Sequence, residues 1–153
     1  MIIIRKIYDL CMGVIAFLSI TVIIIAASCL VLQYKPAIVV SGSMEPMIKT
    51  GSLLLVDKKD KNIEIGDVIA YKNHDMEVSH RVVEITSNGY VTKGDNNDNV
   101  DFYQVRESDI TGTVIFSIPK LGYALDWVRS TQGIIVIATI CTGCILMGLL
   151  RNE

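Results

Sequence analysis

Leu10 to Leu32 reads LCMGVIAFLSITVIIIAASCLVL, a run without charge in which Ser and Thr are the sole polar interruptions. At about 23 residues it is long enough to cross a hydrocarbon core of roughly 30 Å at about 1.5 Å per helical residue. A second run, GIIVIATICTGCILMGLL from Gly133 to Leu150, is about 18 residues and sits at the lower limit for a span. Trp127 and Arg129 precede it and suit a membrane interface. The expectation is a pair of transmembrane helices, 10–32 and 133–150, bracketing a water-facing domain at 33–128. Residues 1–9 and 151–153 then form short tails.

The first run has a competing reading as a cleaved leader. Arg5 and Lys6 would be its charged start and Ala26-Ala27-Ser28 its cut site, and Cys29 adds a hint of a lipoprotein site. The apolar stretch outlasts a leader core of about 7–15 residues and continues past Cys29, which favours a retained anchor. Flanking charge does not orient it. Arg5, Lys6 and Arg151 lie on one side, while Lys35, Lys49, Lys120 and Arg129 lie on the other.

Of the 16 acidic residues, all but Asp9 and Glu153 fall between Glu45 and Asp126, which marks the middle of the chain as its polar part. Lysine and arginine nearly balance them, so no basic patch forms and nucleic acid is excluded as a partner. The four cysteines, Cys11, Cys29, Cys141 and Cys144, all lie in the apolar runs. The polar domain therefore has no disulfide and no thiolate metal site. Cys141-Thr142-Gly143-Cys144 has redox spacing but sits at membrane depth without a βαβ context, so small-residue helix packing is the better reading.

Between Tyr34 and Val128 short β-rich runs alternate with turn residues. The strand candidates are Ala37 to Ser41, Ser52 to Val56, Asp67 to Tyr71, Val78 to Thr86, Tyr90 to Lys93 and Gly112 to Ser117. Tyr103 to Ser108 and Leu121 to Val128 read as short turns. The fold class is mostly β. Asn88-Gly89 predicts a type I′ hairpin with Ser87 facing Tyr90. In that register Glu84 opposes Lys93, Val82 opposes Asp95 and His80 opposes Asn97. The strand bearing His80 would then end beside the loop GDNNDNVD, residues 94–101, so that an imidazole and Asp95, Asp98 and Asp101 converge.

In VVSGSMEPMIKTG, residues 39–51, Gly42 and Pro46 frame Ser43 about ten residues from the first span. A serine presented on such a turn needs a proton acceptor to be more than ordinary. Of the two histidines, His74 lies in the polar turn Lys72-Asn73-His74-Asp75 and reads as a solvated loop residue. His80 lies in a strand, where a lone histidine is usually structural, but the acidic loop could fix its tautomer. That loop has oxygen ligands at calcium-like spacings in Asp95, Asn97 or Asp98, Asn99 and Asp101. It lacks the glycine at position six and the glutamate at twelve. Zinc would need more His or Cys than the domain has. No metal or cofactor is expected.

Three ordered segments, SGSMEP, SHRVVEI and KGDNNDNVD, with GDVIAY between the first two, resemble the catalytic boxes of type I signal peptidases. They match the ER-type branch, which also occurs in archaea and some Gram-positive bacteria, over about residues 5–120. The resemblance implies a β-rich serine endopeptidase that cuts signal peptides from exported preproteins at the extracytoplasmic membrane face. It implies Ser43 as nucleophile and His80 as general base, where bacterial-type relatives have lysine. Asp101 matches the triad carboxylate and Asp95 a supporting acid. Ser41, with the backbone N–H of Ser43, matches the oxyanion hole. The implied substrate is an extended segment with small residues at the first and third positions before the cut. The resemblance also implies a multi-pass protein of the cell membrane with both termini cytoplasmic. The second apolar run departs from the eukaryotic pattern and leaves accessory subunits open. Two rivals stand beside this reading: a Ser-Lys self-cleaving regulator, and a non-catalytic membrane-tethered β domain.

Overall fold

The structure is a computed structural model that describes residues 2–60 and 62–150. The tail expected at 151–153 lies outside the described residues. Helix α1 covers Ile2–Val31 and carries the whole first apolar run except Leu32. Its hydroxyls need no water: Ser19, Thr21 and Ser28 donate to the carbonyls of Ile15, Phe17 and Ile24, one turn back. Leu32 N–H closes the last turn on Ser28, and Gln33, at φ 61°, turns the chain into the sheet.

Six strands follow: β1 Tyr34–Ile38, β2 Leu53–Asp57, β3 Val68–Asn73, β4 Met76–Thr86, β5 Gly89–Lys93 and β6 Ile110–Ile118. They form one antiparallel sheet in the order β1-β2-β6-β3-β4-β5. Alternation decides which side chains go inside. In β2, Leu54 and Val56 are buried while Leu53, Leu55 and Asp57 are half-buried. They join Met44, Ile48 and Ala70 in one core cluster. Ile69 and Tyr71, on the other face of β3, pack with Ile63, Val82 and Val105 in a second. The central strand β3 is thus covered on both faces, which is why Ile69, Ala70 and Tyr71 are all fully buried.

The sequence reading is corrected at three points. The first strand is Tyr34–Ile38 rather than 37–41; Val39 still bonds Ser52 O and Gly51 N–H just before β2, and beyond it the chain leaves this pairing. Val40 and Ser41 are left exposed beside the turn that carries Ser43. The stretch read as a turn at Leu121 to Val128 is a helix, α2, Leu121–Arg129. The hairpin register is also different: Thr86 faces Gly89, Glu84 faces Val91 and Arg81 faces Lys93, with a bulge between Val82 and Glu84. Ser87 and Asn88 form the turn, secured by the Thr86 hydroxyl, which donates to Gly89 O and accepts Asn88 N–H. Gly89 serves a different purpose from the one its dipeptide suggests. At φ 140° it lies against the backbone of Val105, where a Cβ would come within 2.3 Å of the carbonyl oxygen. His80 accordingly pairs with Ile69 of β3 and not with Asn97.

Helix α3, Thr131–Leu150, follows α2 through a tight corner. The Ser130 hydroxyl accepts Gly133 N–H and donates to Trp127 O, capping one helix while closing the other. Among the described residues one stretch, Arg5–Cys29, is long and apolar enough to cross a bilayer, and α3 offers a shorter apolar stretch, Thr131–Cys144. All four cysteines are free thiols.

Candidate active site

Ser43 owes its position to its neighbours. Met44 and Ile48 are buried as plugs in the first core cluster, which leaves the adjacent Ser43 side chain facing out of the turn. Ile48 N–H bonds Met44 O at 2.8 Å, and Glu45 N–H bonds Gly42 O at 3.1 Å. The Glu45 carboxylate then accepts both the N–H and the hydroxyl of Thr50, at 3.2 and 3.0 Å. Those donors, the backbone one first, hold the Glu45 carboxyl below its ordinary range. The turn is also tied to the acidic loop, because Asn96 N–H donates to Ser43 O at 2.8 Å. Gly94 makes that approach possible: a Cβ there would sit 2.7 Å from Ser43 O.

His80 stands on β4 and is buried. Its Nε2 lies 3.0 Å from Ser43 Oγ and its Nδ1 lies 2.7 Å from Asp101 Oδ2. A hydroxyl, an imidazole and a carboxylate from three separate segments are therefore in line. A carboxylate accepts only, so the ring proton facing it sits on Nδ1, and Nε2 is bare toward the serine. That arrangement can withdraw a proton from Ser43 Oγ as it attacks a carbonyl carbon, and can return it to a leaving amine. Ser41 Oγ lies 3.4 Å from Ser43 Oγ, at the edge of hydrogen-bonding range.

Asp95 stands apart from this line. Both of its carboxylate oxygens take the Arg81 guanidinium, Nε to Oδ1 at 2.8 Å and Nη2 to Oδ2 at 2.7 Å. Arg81 Nη1 in turn donates to Gly66 O at 2.7 Å. β5 ends at Lys93 opposite Arg81, which brings the loop carrying Asp95 back onto the guanidinium. The Asp95 hydrogen bonds push the Arg81 pKa up against the opposing effect of burial. Asp98 is exposed, and His74 sits in the β3–β4 turn with its Nδ1 against the Asn73 side chain. Among the described residues no cluster of His, Cys, Asp and Glu could hold a metal. Two residues here carried no signal in the sequence: the Tyr71 and Thr92 hydroxyls both donate to Asp101 Oδ2, at 3.0 and 2.5 Å.

A cleft opens beside Ser43 between two strand edges. The extended chain 37–41 forms one side, and residues 76–80 of β4 form the other. Met44, Ile48 and Leu54 make an apolar floor. Lys35 Nζ reaches across to both carboxylate oxygens of Glu77, at 2.8 Å each, near one end of the gap.

Comparison with known proteins agrees with this architecture. The family described as Peptidase S24-like matches residues 25–115. The chain is 35% identical over 116 residues to the signal peptidase complex catalytic subunit SEC11 of Zygosaccharomyces rouxii, a match covering 65% of this chain and 70% of that protein. The corresponding subunit of Lachancea thermotolerans is 36% identical over 117 residues, with the same coverage. That of Komagataella phaffii is 31% identical over 131 residues, covering 69% of this chain and 77% of the relative. By this similarity the chain belongs to the ER-type branch of the type I signal peptidases, the serine peptidases that remove signal peptides.

Proposed function

We propose that this chain is a membrane-anchored endopeptidase in which Ser43 is the nucleophile, His80 the general base and Asp101 the carboxylate that orients it. The observation that carries the reading is the continuous contact from Ser43 Oγ through His80 to Asp101. Ser43 Oγ attacks the scissile carbonyl while His80 Nε2 takes its proton. The resulting oxyanion is held by the Ser43 N–H and the Ser41 hydroxyl. Collapse expels the new N-terminal amine of the mature protein, which leaves with the proton from the imidazolium. Water, activated by the same imidazole, then releases the signal peptide as a free carboxylate.

The substrate is an extended segment cut after small residues, in the A-x-A pattern. The free edges of 37–41 and 76–80 supply backbone groups for such a strand. An extended peptide turns its first and third side chains before the cut to one face, toward Met44, Ile48 and Leu54, where bulk has little room. The self-cleaving rival requires a lysine base, whereas an imidazole occupies the position against Ser43 Oγ. A non-catalytic domain has no use for a buried histidine bonded to both a serine and an aspartate.

Both apolar helices are read as spans, 10–32 and 133–150, with the domain at 33–128 extracytoplasmic at the cell membrane and both termini cytoplasmic. Supporting this, the Tyr8 hydroxyl donates to Cys144 O at 3.2 Å, which pairs the start of α1 with the later part of α3. The relatives are named as subunits of a complex, so accessory membrane subunits are a partner class for this chain. Protease added outside sealed cells should digest the β domain and spare tags on both termini; loss of either tag would sink the two-span orientation.

Purified full-length protein in detergent should cut a labelled preprotein at one site, identified from the mass of the released mature chain. Undiminished cleavage by a well-folded His80→Ala variant would rule against a histidine base. His80→Lys should remain inactive, because the neighbouring carboxylate favours the charged ammonium, which cannot accept a proton.

A further inference from the structure

Asp101 lies in a loop whose flanking residues Asp98, Asn99, Val100 and Phe102 are exposed, so little apolar packing holds it. Its backbone is fixed once, by Asp101 N–H to Thr92 O at 2.8 Å. Its side chain is fixed by three contacts that all fall on one oxygen, Oδ2: His80 Nδ1, Tyr71 Oη and Thr92 Oγ1. Each hydroxyl has a single proton. With an acceptor-only carboxylate between them, both protons point at Oδ2. The 3.2 Å approach of Tyr71 to Thr92 and the 3.5 Å approach of Tyr71 to His80 Nδ1 are then close contacts without a shared proton.

We propose that Tyr71 and Thr92 are positioning residues of the catalytic relay, clamping the Asp101 carboxylate so that Oδ2 faces His80 Nδ1. This rests on the function proposed above. The clamp spans β3, β5 and the loop, so the carboxylate is referenced to the rigid sheet and not to its own segment. Thr92 grips Asp101 twice, once through its carbonyl and once through its hydroxyl. Tyr71 reaches the site because β3 pairs with β4 two residues from His80, Tyr71 against Val78 and Ile69 against His80. Its ring packs in the second core cluster and edge-on against the His80 ring, centroids 6.4 Å apart, contacts that phenylalanine would keep, while the hydroxyl alone reaches the Asp101 carboxylate. Burial first, and the Asp101 charge among the smaller causes, push the phenol above its ordinary range, so it stays a donor at any working pH.

The test measures kcat, KM and melting temperature of the full-length protein on a labelled preprotein. Tyr71→Phe should lower kcat about tenfold to hundredfold with KM unchanged, less than the loss of up to about 10⁴ expected for the carboxylate itself. Thr92→Val should act similarly, and Thr92→Ser, which keeps the hydroxyl, should recover most of the rate. In an Asp101→Asn background Tyr71→Phe should cost nothing further, because its effect passes through the carboxylate. The proposal is overturned if Tyr71→Phe is fully active, if its loss is the same with Asp101→Asn, or if the loss follows a lowered melting temperature. Absence of cleavage by the unaltered protein would instead bring down the function reading, and this inference with it.

Discussion

Ser43→Ala is expected to abolish preprotein cleavage, lowering kcat by about 10⁶ while membrane insertion and melting temperature stay unchanged. The separation of the two effects follows from how the turn is built. Every contact that holds it uses a neighbour or the backbone: Met44 and Ile48 in the core, Glu45 on Thr50, and Ser43 O on Asn96 N–H. The Ser43 hydroxyl meets His80 Nε2 and Ser41 Oγ and takes no part in those contacts. Removing one oxygen leaves His80 bonded to Asp101 through Nδ1, and the Nε2 that loses its partner belongs to a residue lining the open cleft, where water can replace the hydroxyl. The readout is gel conversion of preprotein to mature form, with thermal unfolding run on the same preparations. Substantial conversion by a well-inserted alanine variant would remove Ser43 from the mechanism.

The β architecture was legible because period-2 burial is written locally. In β2 alternate residues go inward, and turn residues punctuate the rest. What local pattern misses is what a distant segment does to it. Asn88-Gly89 reads as a hairpin turn, yet the backbone of Val105 lies against Gly89 and claims the glycine for close approach, and the register slips so that Glu84, expected opposite Lys93, faces Val91. The same limit hid the polar partners of the site. Tyr71 sits in a buried strand and its aromatic body reads as core, which it is; nothing nearby in sequence announces that its hydroxyl meets a loop thirty residues on. Arg81 looks like a surface residue beside His80 until β5 stops at Lys93 and lets Asp95 fold back on it. Ser43, His80 and Asp101 each lie in a motif separated from the others by tens of residues. The resemblance to a family linked those motifs, whereas the register read from the hairpin would have put His80 against Asn97.

The three loop carboxylates should fail in three different ways. Asp101→Asn is expected to keep the fold and lose up to about 10⁴ in rate. The amide carries no charge to stabilise the imidazolium. If its NH₂ turns toward Nδ1, the ring proton moves to Nε2, where it faces Ser43 and blocks proton transfer. Asp95→Asn acts elsewhere. It breaks a two-pronged ion pair in which the Arg81 and Asp95 side chains are 30% and 16% exposed, leaving a half-buried guanidinium underpaired. The expected cost is about 1–3 kcal/mol of stability, with activity falling as the loop carrying Asn96 loosens from Ser43 O. Arg81→Lys should reproduce part of that loss, since an ammonium cannot take both oxygens and still reach Gly66 O in the same fork. Asp98 is exposed between two asparagines, and Asp98→Asn should leave melting temperature and rate near those of the unaltered protein. Measured side by side, a variant that melts normally but does not cut identifies the carboxylate serving His80. If that variant is Asp98→Asn, or if Asp101→Asn cuts at an undiminished rate, the assignment of Asp101 is wrong.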